Sequence, residues 1–319
     1  MKLLVTGGAG FIGSNFIRYH GKTHPEDEIV NLDALTYASQ PLALKELKEQ
    51  PGYRFVKGDI ADRSFVMGLF EEERFDVVVN FAAESHVDRA IRQPDVFVRT
   101  NVLGTQVLLD AAKEYGVKRY HQISTDEVYG ALPLDRPELL FHEESALAPS
   151  NPYSASKAAA DLLVMSYFKT FGLPVTISRC SNNYGPYQHE EKLIPHMIGK
   201  ARNGELLPVY GDGKNVRDWI YVEDHCSAVE CILERGTVGE LYNIGAQGEL
   251  SNIALVRRIL SILDKPETLI SYVADRPGHD LRYGMDATKL RTELGWEPKY
   301  SLNEGLEKTV AWYQKNGEN

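Results

Sequence analysis

The chain has 319 residues, room for two domains or one large one, which excludes peptides and small disulfide-stapled scaffolds. Hydrophobic residues make up 43% and charged residues 25%, the balance of a folded globular chain rather than of disorder. Lys and Arg number 35 against 45 Asp and Glu, a net charge of −10, so no nucleic-acid partner is expected and any anionic ligand must meet a local basic pocket.

Apolar runs at 2–6, 28–32, 54–57, 76–80, 119–124 and 175–179 read as strands, and helical patterns at 11–19, 61–72, 94–115 and 152–171 alternate with them. Strict alternation of this kind predicts βαβ units and an α/β fold, a Rossmann-like doubly wound parallel sheet. Beyond 179 the alternation fades into segments such as Asn182-Asn183-Tyr184-Gly185-Pro186-Tyr187 and Gly211-Asp212-Gly213, the composition of specificity-bearing loops. Residues 241–244 read as one more strand, placed to return to the first sheet. The expected division is therefore 1–180, receiving 215–245 as well, and a smaller, discontinuous unit over 181–319.

Leu162, Leu163, Val164 and Met165 are consecutive, as are Val107, Leu108 and Leu109, so each set covers more than one helix face. A homodimer is expected to bury the second face, unless another part of the same chain does. Cys180, Cys226 and Cys231 are odd in number and lack CxxC spacing, which suggests neither a disulfide framework nor a zinc site. The opening residues hold no signal-peptide core, and no apolar run reaches membrane-spanning length. A cytoplasmic protein with no membrane partner is expected.

Gly7-Gly8-Ala9-Gly10-Phe11-Ile12-Gly13 follows the first strand and opens the first helix. In that context the glycines let backbone approach a pyrophosphate seated on the helix N-terminus. Asp33, twenty residues past Gly13 at the end of the second strand, can accept from both ribose hydroxyls and repel a 2′-phosphate, so NAD is expected rather than NADP. Asp59, after the third strand, is placed either for an adenine edge or simply as a solvated strand-end carboxylate. Tyr153 and Lys157 are four apart on a predicted helix, share one face, and the ammonium is expected to lower the phenol pKa. The fifth strand ends in Ser124-Thr125-Asp126-Glu127-Val128-Tyr129-Gly130, where a hydroxyl can share a proton with the phenol.

These motifs, with 6–16, 32–37, Phe81-Ala82-Ala83-Glu84-Ser85-His86-Val87-Asp88, 179–188, 211–224 and 275–280, resemble the extended short-chain dehydrogenase/reductase family in its sugar-nucleotide-modifying branch. The resemblance implies a Rossmann-like sheet with a smaller C-terminal substrate-binding α/β domain. It also makes Asp126-Glu127 informative, because 4-epimerases of this fold carry small uncharged residues there. Two adjacent carboxyl groups suit an elimination, which needs an acid and a base. The reaction implied is loss of water across C5 and C6 of dTDP-glucose. In it Tyr153, helped by Thr125 and Lys157, takes the C4 hydroxyl proton as hydride passes to NAD; Glu127 removes the C5 proton; protonated Asp126 serves the departing C6 hydroxyl. Hydride then returns to C6, so NAD is regenerated in each turnover and held tightly.

By the same resemblance the cofactor-binding residues are Gly7, Gly10, Phe11, Ile12, Gly13, Asp33, Leu35, Thr36, Asp59, Ile60, Ala82, Ala83, Ser85, Thr100, Tyr153, Lys157 and Asn183. The nucleoside diphosphate sugar would be met by Ser85, His86, Thr125, Asn182, Lys192, Leu193, Pro208, Val209, Tyr210, Arg217, Asn252, Arg276 and His279, with Tyr283 near them. Arginine suits a pyrophosphate because its planar fork donates twice to one phosphate. His86 and His225 invite a metal reading, but the nine histidines are read as holding neither an HxxxH nor an HExxH pattern and the reaction needs no metal, so none is expected. Two other functions stay open, a UDP-sugar 4-epimerase and a silent NAD-binding scaffold protein. So does the base, since a pocket discriminates the thymine methyl by only ~1–3 kcal/mol.

Overall fold

The structure, a computed structural model, describes residues 1–275 and 280–316. Its strands are β1 (Lys2–Thr6), β2 (Glu28–Asp33), β3 (Tyr53–Lys57), β4 (Val77–Asn80), β5 (Arg119–Thr125), β6 (Val175–Cys180), β7 (Asn182–Tyr184), β8 (Leu207–Tyr210), β9 (Val216–Tyr221), β10 (Leu241–Ile244), β11 (Glu249–Ser251) and β12 (Ile270–Val273). The helices are α1 (Phe11–Thr23), α2 (Pro41–Leu47), α3 (Arg63–Glu73), α4 (Val87–Arg92), α5 (Pro94–Phe97), α6 (Thr105–Glu114), α7 (Pro152–Phe171), α8 (Leu193–Asn203), α9 (Val222–Arg235), α10 (Asn252–Ile262), α11 (Thr288–Leu294) and α12 (Leu302–Asn316).

Seven strands form one parallel sheet in the order β10-β6-β5-β4-β1-β2-β3. Both faces of the sheet are covered, and β4 is accordingly Val-Val-Val-Asn and buried throughout, whereas β5 buries the polar His121, Gln122, Ser124 and Thr125. On one face α1 and α9 bring Phe16, Ile17, Val229 and Ile232 against the sheet. On the other α3, α6 and α7 bring Val66, Phe70, Leu108 and Val164. Each such side chain, fully buried, contributes about 1.5–3 kcal/mol. Val107, Leu108 and Leu109 are all enclosed in this second core, so the chain itself covers them, whereas Leu162 on α7 stays 63% exposed.

The segment after β6 is more ordered than its loop-like composition suggests. β9 pairs with β7 and β11 in a three-stranded sheet, and β8 with β12 in a two-stranded one. Under them α8, α10 and α12 close a third core around Ile198, Leu255, Ile259, Leu306 and Val310. The 215–245 stretch divides: β9 belongs to the small sheet, while β10 pairs with β6.

Local chemistry sets the element that carries the site. Asn151 caps α7 by accepting from the Ser154 amide at 3.0 Å, the Ser154 hydroxyl takes the Asn151 amide at 3.3 Å, and Pro152 fills the first position. Gly172, at φ 70°, ends the helix. The 94–115 helix, by contrast, is interrupted by a π-helical stretch, Val98–Gly104. There the buried Asn101 accepts from the Glu84 amide at 2.9 Å and donates to the Glu84 carbonyl at 3.0 Å and to Ser156 Oγ at 2.8 Å. Those tertiary bonds hold the wider turn, a feature frequent at functional sites.

Candidate active site

The strand order reverses between β1 and β4, and it is outside the carboxyl ends of such strands that doubly wound sheets bind ligands. Gly7 leaves β1 at φ 70°, and a Cβ there would stand 2.6 Å from the Ala82 amide nitrogen; only a bare backbone passes. A Cβ on Gly13 would lie 2.5 Å from the Gly7 carbonyl oxygen, so this glycine lets α1 close on the turn. Gly10 caps α1 without a side-chain acceptor, which leaves first-turn N–H groups for an anion.

Asp33 ends β2, its Oδ2 accepting from the Ala9 amide at 2.9 Å and its Oδ1 from Leu35 at 2.8 Å. Burial raises its pKa and the two amides pull the other way. Asp59 accepts from the Ala61 amide at 2.8 Å and pairs with Arg99 at 2.9 Å.

These groups border a cavity of about 500 Å³ that runs from the glycine turn to Tyr153 and Lys192, within the usual range for a cofactor site. Every residue expected at the cofactor lines it except Leu35. Leu35 adopts a left-handed φ of 56°, which turns its amide to Asp33 and leaves its side chain exposed. The bare glycine turn, the open helix end and the strand-end carboxylate fit a dinucleotide.

At the other end of the cavity, Thr125 Oγ1 accepts from the Glu127 amide at 3.3 Å and starts a 3₁₀ turn, Asp126–Tyr129. One short turn thus brings Thr125, Asp126 and Glu127 to the wall together with Tyr153 and Lys157. The Thr125 hydroxyl pulls the pKa of the Tyr153 phenol downward and donates to Asp126 Oδ1 at 3.2 Å. Asp126 is 1% exposed and its Oδ2 has no protein partner. Burial first, then the charges of Glu127 and Asp218, push its pKa well above the usual carboxylate range. That shift favours the protonated acid, the form with a proton to give.

Tyr153 departs from expectation. Its pKa is raised well above that of an ordinary phenol, by burial and then by Glu127, because the Lys157 ammonium donates to the Ile123 carbonyl at 2.6 Å and burial lowers its own pKa. Four-residue spacing put the two on one face but did not aim the charge.

Several contributors escaped the sequence. Asp161, one turn beyond Lys157, accepts from Ser124 Oγ and Arg179 Nε, both at 2.9 Å. The i, i+4 spacing from Lys157 is the signal that could have flagged it. His225 Nδ1 donates to Asn183 Oδ1 at 2.8 Å and so positions a cavity-wall side chain, and Cys180 completes the wall behind Tyr153.

Of the residues expected at the substrate, Ser85, Thr125, Asn182 and Lys192 line the cavity, whereas His86, Leu193, Pro208, Val209, Tyr210, Arg217 and Asn252 do not. His86 Nε2 lies 3.2 Å from Glu191, and Val209 is packed into the third core. Arg217 donates to the Val216 carbonyl at 2.8 Å and the Asp280 carbonyl at 3.0 Å, with its guanidinium 4.4 Å over the Tyr283 ring. Arg217 nonetheless lowers the Asp126 pKa electrostatically, and the Glu127 charge raises that of Tyr283. Arg276 and His279 lie outside the described residues.

The profile of the GDP-mannose 4,6 dehydratase family matches residues 4–309. A low-salt glycan biosynthesis protein, Agl12, of Haloferax volcanii is 55% identical over 98% of this chain and 98% of its own length. The dTDP-glucose 4,6-dehydratase of Haemophilus influenzae is 48% identical over 99% and 98%. Among solved structures, dTDP-glucose 4,6-dehydratase from Bacillus anthracis in complex with NAD superposes with a TM-score of 0.93 at 48% identity, covering 100% of this chain and 98% of that one. A match that takes in the glycine turn, the carboxyl pair and the Tyr-Lys helix in one span establishes that the chain belongs to the GDP-mannose 4,6 dehydratase family.

Proposed function

We propose that the chain removes water from dTDP-glucose on a bound NAD, as a 4,6-dehydratase that makes dTDP-4-keto-6-deoxyglucose. One observation carries this beyond the fold: the buried Asp126, its pKa raised above the carboxylate range, stands beside Glu127 at the end of β5, facing the same cavity as Tyr153. A simple alcohol oxidation has no use for two carboxyl groups there, and an elimination needs both. The relatives named dTDP-glucose 4,6-dehydratase support the substrate.

NAD held in this cavity supplies a hydride acceptor for C4 and a donor for C6. The residues do the proton work. Tyr153, whose raised pKa the positive charge of bound NAD would offset, takes the C4 hydroxyl proton. With a carbonyl at C4 the C5 hydrogen is acidic, and Glu127 removes it. Asp126 protonates the departing C6 hydroxyl, which leaves as water, and Glu127 returns its proton to C5 as C6 is reduced. Lys157, fixed on the Ile123 carbonyl, and Asn183, fixed by His225, orient the nucleotide end. Lys192 and Arg217 supply the local positive charge that a pyrophosphate needs on an acidic protein.

The same proposal divides the work: 1–180, with the later part of 215–245, holds the cofactor, and 181–319 otherwise holds the substrate. It also includes a homodimer built on α7, supported by the exposed Val98, Leu103 and Leu162 on neighbouring turns. Finally it includes a cytoplasmic location, consistent with three free, buried cysteines. No described helix is long and apolar enough to cross a membrane.

The test is mass spectrometry of dTDP-glucose and UDP-glucose incubated separately with purified protein and no added NAD. Loss of one water from dTDP-glucose alone, or much faster, is expected. Conversion of UDP-glucose to UDP-galactose without water loss would establish the epimerase instead, and no change in either substrate would reject both activities.

A further inference from the structure

His20 and His24 form an HxxxH pair, which corrects the reading above that the histidines hold no such pattern. Four-residue spacing stacks both imidazoles on one face at the end of α1, and the fold packs that face on α9. The ligand atoms of His20, His24 and Glu230 all lie within 4.8 Å of one another. His20 Nδ1 faces Glu230 Oε2 at 2.8 Å and His24 Nε2 faces Glu230 Oε1 at 3.1 Å. One turn along α9, Glu234 brings its Oε1 to 3.3 Å from the same His24 Nε2.

We propose that His20, His24, Glu230 and Glu234 form a site for a divalent transition-metal ion, Zn²⁺ the best match, bridging α1 to α9. Two imidazoles with two carboxylates are a zinc-type donor set, and two ligands about 2.0–2.1 Å from a tetrahedral ion are roughly 3.3 Å apart. The two His24 contacts already have that spacing, and the His20 contact opens to it by about half an ångström. A proton serves the cluster less well, since His24 Nε2 has one hydrogen for two carboxylates.

The surroundings are those of a metal site. Asp27 Oδ2 lies 3.2 Å from His20 Nε2, which aims Nδ1 at the cluster in the manner of a carboxylate behind a metal-bound histidine. Asp27 is itself held by the Met1 amino group. A cavity of about 460 Å³, lined by His24, Glu230 and Glu234, provides entry. Glu223, Asp224 and Glu297 outnumber Arg235 and Lys299 in its remaining wall, so the opening attracts cations. The cluster lies about 20 Å along α1 from the glycine turn, and no residue lines both cavities. The ion is therefore structural: it ties the first helix to the helix that leads from β9 into β10.

The experiment uses the full chain, stripped with a chelator, dialysed and titrated calorimetrically with Zn²⁺, the metal content being counted by plasma mass spectrometry. One ion per chain is expected. Co²⁺ in its place should give the intense visible absorption of four-coordinate cobalt. His24→Ala and Glu234→Gln, at side chains 24% and 47% exposed, should keep the fold and weaken Zn²⁺ binding at least about tenfold; His142→Ala, an exposed histidine elsewhere, should not. Zn²⁺ should raise the Tm of the unaltered protein but not of His24→Ala, with dehydration of dTDP-glucose the same in both. Absence of stoichiometric binding, undiminished binding by both cluster variants, or weak octahedral cobalt absorption would each overturn the site.

Discussion

Asp161 and Arg179 form a buried ion pair, Oδ2 to Nε 2.9 Å, with side chains 1% and 6% exposed. The same carboxylate oxygen accepts from Ser124, so the pair ties α7 to β5 and β6 directly beneath Lys157. Removing one member of such a pair leaves the other charge buried and alone. Asp161→Asn should lower the unfolding free energy by about 3–5 kcal/mol, read by urea denaturation. A loss under about 1 kcal/mol would mean that Arg179 finds another partner.

Glu127 is the base of the proposed elimination. Glu127→Gln keeps the size of the side chain and removes its basicity, so water loss from dTDP-glucose should fall by about 10²–10⁴-fold, with nucleotide binding retained. Normal turnover by this variant, followed by mass spectrometry, would assign the base elsewhere.

Asp126 links activity to stability with opposite signs. Its folded pKa lies above its unfolded one, so its favourable contribution is complete below the ordinary carboxylate range and is lost as pH rises through the raised folded value. Dehydration should fall over the same rise, because the acid loses its proton. Asp126→Asn should remove the activity and, at high pH, raise Tm by roughly 1–4 °C. Scanning calorimetry beside a pH–rate profile checks both halves.

Gly7 meets two constraints at once, a φ of 70° and the Ala82 backbone 2.6 Å from any added Cβ. Gly7→Ala should cost about 1–3 kcal/mol of stability and displace the turn that faces the cofactor. The protein should purify without NAD, measured by absorbance after denaturation. Full NAD content in this variant would show that the turn can relax.

His121 and His225 are buried, and burial lowers each pKa to about 3. A histidine depressed in the fold stabilises above its unfolded pKa of about 6.5, and that stabilisation is lost as pH falls toward 3. Between pH 6.5 and 5 each should cost about 2 kcal/mol. Melting curves at both pH values should show the drop, and His121→Gln should roughly halve it. An unchanged slope in that variant would place the acid sensitivity in other groups.

The first six strands, the start and end of α7, the glycine turn, and Asp33 at the close of β2 were all legible in the chain. So was the adjacency of Asp126 and Glu127 at the end of β5. Each depends on neighbours a few residues away, through strand runs, helix caps and the turn chemistry of glycine. What only the tertiary structure decided depends on groups brought from far along the chain. The π-helical Val98–Gly104 exists because Asn101 meets Glu84 and Ser156. Apart from β10, which was legible as a strand returning to the first sheet, the short strands after β6 acquire their state from distant partners, and Arg217 is engaged by the carbonyl at 280. The raised pKa values of Asp126 and Tyr153 come from burial first. Periodicity and capping are local properties written in sequence order; desolvation and convergence belong to the packed whole.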